Sequence, residues 1–289
     1  MKKSYIFAFV SILLWSTMAT ASKLLLDSMS GMQVLCISSL FAALFLFVLG
    51  LCNGKVRAMR TLLAKDYLKM IVAGLPGTFL YYTFYYIGAA RLPASQAFII
   101  NYLWPIMSVV FACVLLKEKM TARKGIAIVL SFVGVIIVTG GDLLHLNTQT
   151  AVGIGGCVLG AVSYGVFTSL NQKWRYDTQT ATMVAFGATF VIALAVHLIS
   201  GDVFVPPVTQ TAVLALNGIL SFAIPTMCWI LALSGGNTAK ISNLAYITPF
   251  LSLVWTSLLL KERITVYAIT GLVVIILGIC IQLKDGKKA

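Results

Sequence analysis

The sequence predicts an all-α integral membrane protein with ten transmembrane helices, arranged as two five-helix repeats of opposite orientation around a central cavity. Three observations predict this fold. Hydrophobic residues make up 60% of the chain and charged residues only 10%, whereas soluble domains carry about 25% charged residues. The chain divides into ten apolar runs of about 20 residues, the length that crosses a bilayer as a helix. A stretch in the first half also matches a stretch in the second half.

The ten predicted spans are separated mostly by short loops. They cover residues 5–26, 32–52, 68–90, 93–116, 121–141, 151–172, 180–200, 210–233, 237–260 and 266–284. The two longer loops are the basic segment 53–67 and the polar segment 142–150. The predicted domains are therefore a first repeat over residues 1–141, a connecting loop over 142–150 and a second repeat over 151–289.

The N-terminus allows two interpretations. Lys2 and Lys3, an apolar run and then Ala19-Thr20-Ala21 resemble a signal peptide with its cleavage site. The apolar run continues to Leu26, however, and the repeat requires this segment as a helix. We therefore interpret residues 5–26 as the first span.

Lysine and arginine are distributed unevenly over the two sides of the predicted membrane. If the N-terminus is inside, four of the 21 lysines and arginines fall outside, at Lys23, Arg91, Lys261 and Arg263. The others fall inside, and an excess of these residues marks cytoplasmic loops. Both termini are therefore predicted to be cytoplasmic. The net charge of +13 then reflects topology, and no nucleic-acid partner is predicted.

Residues 101–121 align without gaps on residues 245–265, and nine of the 21 aligned positions are identical. The identical positions include Tyr102 and Tyr246, Pro105 and Pro249, Lys117 and Lys261, and Glu118 and Glu262. Because each half has five spans, the second copy enters the membrane from the opposite side. Such inverted repeats are typical of secondary transporters, which bind their substrate near the midplane between the repeats.

Pro105 and Pro249 stand near the middle of the fourth and ninth spans. Proline lacks an N–H group and crowds the carbonyl four residues earlier, so it kinks a helix. Irregular backbone is tolerated in a membrane where it is buried in protein or lines a wet cavity. We expect the two kinks to face each other across the cavity, although transmembrane helices also hold proline for packing alone.

Aromatic and amide side chains near mid-span are the candidates for substrate binding. Tryptophan prefers the membrane interface, so tryptophans at mid-span indicate a polar interior, and plain aromatic packing is the alternative. Buried amides either bond helices together or meet a ligand. The topology places Tyr86 near the outer end of the third span, as a candidate interface residue. The candidate binding residues are Trp15, Tyr81, Tyr82, Asn101, Tyr102, Trp104, Tyr164, Asn243 and Tyr246.

Asp, Glu, His, Lys and Arg are absent from the middle of the predicted spans. This absence favours a cargo that is neutral overall, such as a zwitterion with an apolar side chain. It leaves the coupling open, since either an end-of-span group carries protons or transport follows the substrate gradient. The six cysteines show no CxxC or Cys/His spacing, so no metal, cofactor or disulfide framework is predicted.

The inverted repeat, with Leu-Lys-Glu-Lys/Arg after the fourth and ninth spans, resembles the EamA group of the drug/metabolite transporter superfamily. Leu14-Trp15-Ser16-Thr17-Met18, Asn101-Tyr102-Leu103-Trp104-Pro105, Gly140-Gly141-Asp142 and Tyr246-Ile247-Thr248-Pro249 resemble its bacterial aromatic amino-acid exporter branch. This resemblance implies a ten-helix basket, alternating access and a cavity lined by the third, fourth, sixth, eighth and ninth spans. Leu260-Lys261-Glu262-Arg263 follows the wider group and departs from that branch.

The predicted function is export of small amphipathic metabolites across a bacterial inner membrane. Aromatic and other neutral amino acids are the favoured cargo. The exporter is expected as a monomer or homodimer. A broad-specificity metabolite or drug exporter of the same superfamily is the alternative. A passive channel and a membrane-embedded enzyme are less favoured, because an enzyme would need a nucleophile, a metal cluster or paired acids at mid-span.

Overall fold

The computed structural model describes residues 2–140, 147–200, 206–234, 241 and 244–283. This part of the chain is mainly helical and contains no strand. Seven of its helical stretches are long and apolar enough to cross a membrane, and Ala245–Leu260 and Val266–Ile281 are shorter apolar helices. The protein is therefore a multi-pass, all-helical membrane protein.

The described part of the first half, residues 2–140, contains nine α-helices and one π-helical turn. They are α1 (Lys2–Ser16), α2 (Met18–Leu26), α3 (Gly31–Cys52), α4 (Lys55–Met59), α5 (Ala64–Leu75), the π-turn Pro76–Leu80, α6 (Tyr81–Ala89), α7 (Ala94–Asn101), α8 (Trp104–Leu115) and α9 (Ala122–Thr139). The first span is thus broken at Thr17, and α5, the π-turn and α6 form one continuous third span. Its tyrosines, glycines and proline make this span less apolar than its neighbours.

The described part of the second half contains six α-helices. They are α10 (Thr148–Trp174), α11 (Thr178–Ile199), α12 (Val208–Asn217), α13 (Ile224–Ser234), α14 (Thr248–Leu260) and α15 (Val266–Leu283). The π-turn Gly218–Ala223 joins α12 to α13, and the 3-10 turn Ala245–Ile247 precedes α14. Asn243 lies outside the described residues.

Successive spans run in opposite directions, so their ends form two faces of the bundle. We call the end that holds α4, Lys117 and Asp177 the basic face. We call the opposite end, which holds Pro93 and Glu262, the far face.

Side-chain caps begin several of the helices. Ser30 accepts from the N–H of Gln33 over 3.3 Å, and Gln33 Oε1 accepts from the N–H of Ser30 over 2.9 Å, which makes a reciprocal capping box at α3. Asn147 Oδ1 accepts from the N–H of Thr150 over 2.8 Å at the start of α10. These residues satisfy N–H groups that have no partner inside the helix, and so they determine where the spans start.

Glycines allow the helices to pack backbone against backbone. A Cβ atom on Gly134 of α9 would lie 2.8 Å from the carbonyl oxygen of Gly271 of α15. A Cβ on Gly156 of α10 would lie 2.8 Å from the carbonyl oxygen of Phe84, and one on Gly165 would lie 2.6 Å from the carbonyl carbon of Met107. Small residues at such contacts are the usual device for close packing in membranes, and here they bring α10 against α6 and α8.

Large apolar side chains cover much of the outer surface of the bundle. Ile199, Val208 and Leu258 are among the most exposed. An extensive exposed apolar surface marks membrane contact. Tyr86, expected from its depth as an interface residue, is instead 2% exposed. Its hydroxyl is hydrogen-bonded to Asn217, so Tyr86 packs between helices and does not face lipid.

Candidate functional site

A cavity of about 590 Å³ lies between residues of the two halves. At mid-depth it is bounded by Asn101 and Tyr102, at the break in the fourth span. It reaches Thr178 at the start of α11 and Leu233 near the end of α13, both close to the basic face. The cavity therefore occupies the half of the bundle nearer the basic face.

The structure brings seven of the nine predicted binding residues together around this cavity. They are Trp15, Tyr81, Tyr82, Asn101, Tyr102, Trp104 and Tyr164. Tyr246 is not among the lining residues. It stands on the 3-10 turn before α14. Asn243 lies outside the described residues.

The fourth span is interrupted at Tyr102 and Leu103, between α7 and α8. Helix α8 begins at Trp104, with Pro105 in its first turn, where the missing N–H has no intrahelical partner to lose. Pro249 stands in the first turn of α14 in the same way. The hydroxyl of Tyr102 donates to the carbonyl oxygen of Ala245 in the 3-10 turn. The two irregular segments therefore meet at mid-depth, beside the cavity.

Aromatic rings line the cavity in two groups. In one group, the ring centroid of Tyr164 lies 5.0 Å from Tyr81, 5.0 Å from Trp104 and 5.2 Å from Phe167. We call these four rings the Tyr164 cluster. In the other group, Trp15 lies 5.6 Å from Trp229. Tilted and edge-to-face rings at these distances attract each other, and their free faces offer stacking surfaces to a ligand.

Asn101 contributes the amide of the cavity. Its Nδ2 donates to the hydroxyl of Tyr81 over 2.8 Å. Its Oδ1 has no hydrogen-bond partner among the described residues, although the side chain is buried. Gly160 provides the space for it, since a Cβ atom there would lie 3.0 Å from Oδ1. An unpaired acceptor in a buried site is energetically costly.

The remaining polar groups of the lining are hydroxyls rather than charges. Thr78, Thr182 and Thr226 all contribute to it. Thr78 accepts from the hydroxyl of Thr189 over 2.8 Å, and Thr226 donates to the carbonyl of Phe222 over 2.6 Å. No charged residue is found among the lining residues that the structure describes. The site therefore offers apolar faces and neutral hydrogen-bonding groups.

An ion pair lies at the basic-face end of the cavity. Lys55 Nζ contacts Asp177 Oδ2 over 2.5 Å, and Asp177 also caps α11 by accepting from the N–H of Thr180 over 3.0 Å. Partial burial opposes ionisation of Asp177, but the hydrogen bonds from Lys55 and Thr180 outweigh it and lower the pKa of this carboxyl below its ordinary value. Asp177 is thus held ionised beside Thr178, which lines the cavity.

No group of His, Cys, Asp and Glu side chains suited to a metal ion occurs within the described ranges. The free cysteines are distributed singly, with Cys36 and Cys157 buried.

Sequence reasoning missed several lining residues, notably Trp229, Phe186 and Thr226. The internal repeat carried a signal for some of them. Thr226 stands 144 positions after Tyr82, and Thr248 stands 144 positions after Trp104, and all four residues line the cavity. Thr248 already lies in the aligned stretch 245–265, and extending the repeat to the third span would have found Thr226. Trp229 faces Trp15 through helix packing, for which the sequence holds no such signal.

Comparison with known proteins identifies relatives over the whole chain. The model of the EamA-like transporter family matches residues 2–140 and again residues 151–283. An uncharacterized transporter of Clostridium kluyveri is 25% identical over 298 aligned residues, covering 100% of this chain and 96% of that protein. The aromatic amino acid exporter YddG of Ancylobacter novellus is 24% identical over 247 residues, covering 84% of each chain. A solved crystal structure aligns over 100% of this chain with a TM-score of 0.71 and 18% identity, and it shows the fold alone.

Proposed function

The chain belongs to the EamA-like transporter family, and from that premise we propose that it exports aromatic and other neutral amino acids by alternating access. In this proposal ten transmembrane helices form two inverted five-helix repeats, residues 1–141 and 151–289, joined by the loop 142–150. The protein lies in the bacterial inner membrane with its basic face in the cytoplasm. The cavity then faces the cytoplasm, where an exporter takes up its cargo.

Local backbone features that recur about 144 residues apart support the inverted repeat. The π-turns Pro76–Leu80 and Gly218–Ala223 interrupt the third and eighth spans. Lys117 and Lys261 both have left-handed backbone angles, with φ of 59° and 56°. The repeat places Lys117 and Lys261 on opposite faces of the bundle, as inverted topology requires.

The hydrogen bonds that follow these lysines support the repeat as well. The N–H of Glu118 donates to the carbonyl of Ala112 over 3.3 Å, and the N–H of Glu262 donates to the carbonyl of Thr256 over 3.3 Å. Glu118 and Glu262 are 144 residues apart, and so are Ala112 and Thr256. The family model likewise matches the chain twice, once in each half.

The cargo class rests on one observation, the combination of aromatic rings and an unpaired amide oxygen in a cavity without charged lining residues. An aromatic side chain stacks between the Tyr164 cluster and the Trp15–Trp229 pair. In this proposal the Asn101 amide turns from Gly160 towards the cargo, and its unpaired Oδ1 accepts a hydrogen bond from the ammonium group. A cargo with a net charge would be desolvated here without a counter-charge, which costs free energy. The name of the Ancylobacter relative agrees with this class of cargo.

A broad-specificity metabolite exporter is the second candidate. A volume of about 590 Å³ falls within the roughly 300–1,000 Å³ of sites for drug-sized ligands. Because contacts with aromatic rings depend only weakly on direction, the cavity would then bind apolar ligands of several shapes.

Transport by the purified protein in liposomes tests the proposal. We expect saturable counterflow of radiolabelled tryptophan, slower counterflow of threonine and none of a quaternary amine. Saturable counterflow also separates a carrier from a channel, which would not show it. Protein-free liposomes are the control. Transport of the quaternary amine with no transport of any amino acid would refute the amino-acid assignment and favour the broad exporter.

A further inference from the structure

The carboxylate of Glu262 holds the start of the fourth span at the far face. The N–H of Ala94 donates to Glu262 Oε1 over 2.6 Å, and the N–H of Ser95 donates to Oε2 over 3.0 Å. Both N–H groups belong to the first turn of α7, where the helix dipole favours negative charge. Glu262 follows α14, so this contact ties the second half of the chain to the first.

Lys23 holds the connection that precedes this turn. Its Nζ donates to the carbonyl oxygens of Ala89 over 3.1 Å and Leu92 over 3.2 Å. Ala89 is the last residue of α6, where the helix dipole favours positive charge. The connection between the third and fourth spans is therefore held by a cation from α2 and an anion that follows α14. We call these two contacts the far-face clasp.

Buried hydroxyl groups lie on α2 and α14 beneath the clasp. Thr20 is 3% exposed and Ser252 is 1% exposed, and neither hydroxyl has a hydrogen-bond partner among the described residues. Trp255 Nε1 donates to Ser16 Oγ over 2.9 Å and joins the two spans at this level. Thr20 stands one helical turn beyond Ser16, and Ser252 stands one turn before Trp255. Unpaired buried hydroxyls are costly, and water would satisfy them if this region opened.

We propose that cargo leaves at the far face between α2, α7 and α14, and that the clasp of Glu262 and Lys23 holds this exit shut while the cavity faces the basic side. The inference rests on alternating access in the proposed function. Opening breaks the contacts of Glu262 to the first turn of α7, and water then reaches Thr20 and Ser252. The clasp thereby sets how often the far side opens.

Glu118 provides a matched control at the basic face. It occupies the position equivalent to Glu262 in the internal repeat and follows a lysine with the same left-handed backbone. Its side chain is 44% exposed and pairs with Lys124 over 2.9 Å. Changing Glu118 removes the same charge from the same kind of helix end, without touching the far face.

The test measures how fast a membrane-impermeant maleimide labels a cysteine at Ser252, in protein held in lipid nanodiscs. The exposed or half-buried cysteines Cys52, Cys113, Cys228 and Cys280 are first replaced by serine. Ser252→Cys should react slowly alone and at least about tenfold faster with Glu262→Gln, because hydrogen bonds to a charged group are worth roughly 1.5–3 kcal/mol. Glu118→Gln should leave the rate unchanged.

Two further variants keep the test decisive if Glu262→Gln does not fold. Lys23→Gln removes the other half of the clasp and should also raise labelling, and a cysteine at Thr20 should respond as the one at Ser252 does. Equal labelling rates with and without the clasp residues would overturn the inference, and so would an equal rise with Glu118→Gln. The labelling assay contains no cargo and is independent of the transport assay. If the clasp variants raise the labelling rate but no amino acid is transported, only the assigned cargo is refuted. If amino acids are transported but the clasp variants leave the labelling rate unchanged, only the exit path is refuted.

Discussion

Asn101 and Tyr81 form a hydrogen-bonded pair in the wall of the cavity, with 2.8 Å between Asn101 Nδ2 and the hydroxyl oxygen of Tyr81. The contact joins the last residue of α7 to the first residue of α6. It fixes the orientation of the amide, so that Oδ1 is left without a partner among the described residues. The chain thus positions a hydrogen-bond acceptor at mid-depth in the membrane.

Replacing Asn101 by Ala should weaken cargo binding. Loss of a hydrogen bond to a charged ammonium costs about 1.5–3 kcal/mol, which raises KM for tryptophan by roughly 10- to 100-fold. Tyr81→Phe should have a smaller effect of the same sign, because it removes only the group that orients the amide. Concentration-dependent uptake into proteoliposomes measures both changes. Tyr67→Phe is the control, since Tyr67 bonds to the Met59 carbonyl at the basic face, and an equal effect there would contradict the prediction.

Replacing Trp104 by Ala should reduce the preference for aromatic cargo. Trp104 belongs to the Tyr164 cluster, and a ring contact is worth about 0.5–1.5 kcal/mol. The ratio of kcat/KM for tryptophan to that for threonine should therefore fall about two- to tenfold, whereas Trp104→Phe should keep most of it. Competition between the two labelled amino acids in one preparation gives this ratio directly. A parallel loss of both activities would mean that Trp104 supports the fold and not selectivity.

Alanine at Gly156 should destabilise the protein, and alanine at the adjacent Gly155 should not. A Cβ atom on Gly156 would lie 2.8 Å from the carbonyl oxygen of Phe84, whereas one on Gly155 would meet nothing within 4 Å. Forcing extra atoms into a packed contact costs about 1–3 kcal/mol. Thermal unfolding in detergent should show a lower Tm for Gly156→Ala alone. Similar Tm values for the two variants would mean that α6 and α10 are less closely packed than described.

Asp177→Ala should destabilise the protein by about 1 kcal/mol through loss of the α11 cap. Asp177→Asn keeps an acceptor for the N–H of Thr180, so it should lose only the exposed ion pair with Lys55, worth about 0–1 kcal/mol. The lowered pKa of Asp177 gives this contribution its pH dependence. The ion-pair stability is complete above a pH of about 4 and is lost as pH falls through the lowered pKa. The Tm difference between the wild-type protein and Asp177→Asn should therefore disappear in strong acid, and a difference that persists there would contradict the ion pair.

Much of the site could be read from residue types and their depth in the spans. Trp15, Asn101 and Tyr164 are predicted because tryptophan prefers the membrane interface and buried hydroxyls and amides need partners, and all three line the cavity. The predicted interface position of Tyr86 was wrong, because the depth of a residue in the membrane does not determine whether its side of the helix faces lipid or protein. Tyr246 matches Tyr102 in the internal repeat, but it stands on the 3-10 turn before α14 and is not among the lining residues.

The sequence by itself determined the helical membrane class, most of the spans and the positions of the breaks at Pro105 and Pro249, because the length of apolar runs and the missing N–H of proline act locally. Only the tertiary structure decided that Trp229 faces Trp15 and that Glu262 caps α7. The physical reason is that the spans are surrounded by lipid. Lipid is as apolar as the protein interior, so the apolar residues of a span do not reveal which side faces its neighbours. The rotation of each helix is determined by close packing between residues far apart in the chain.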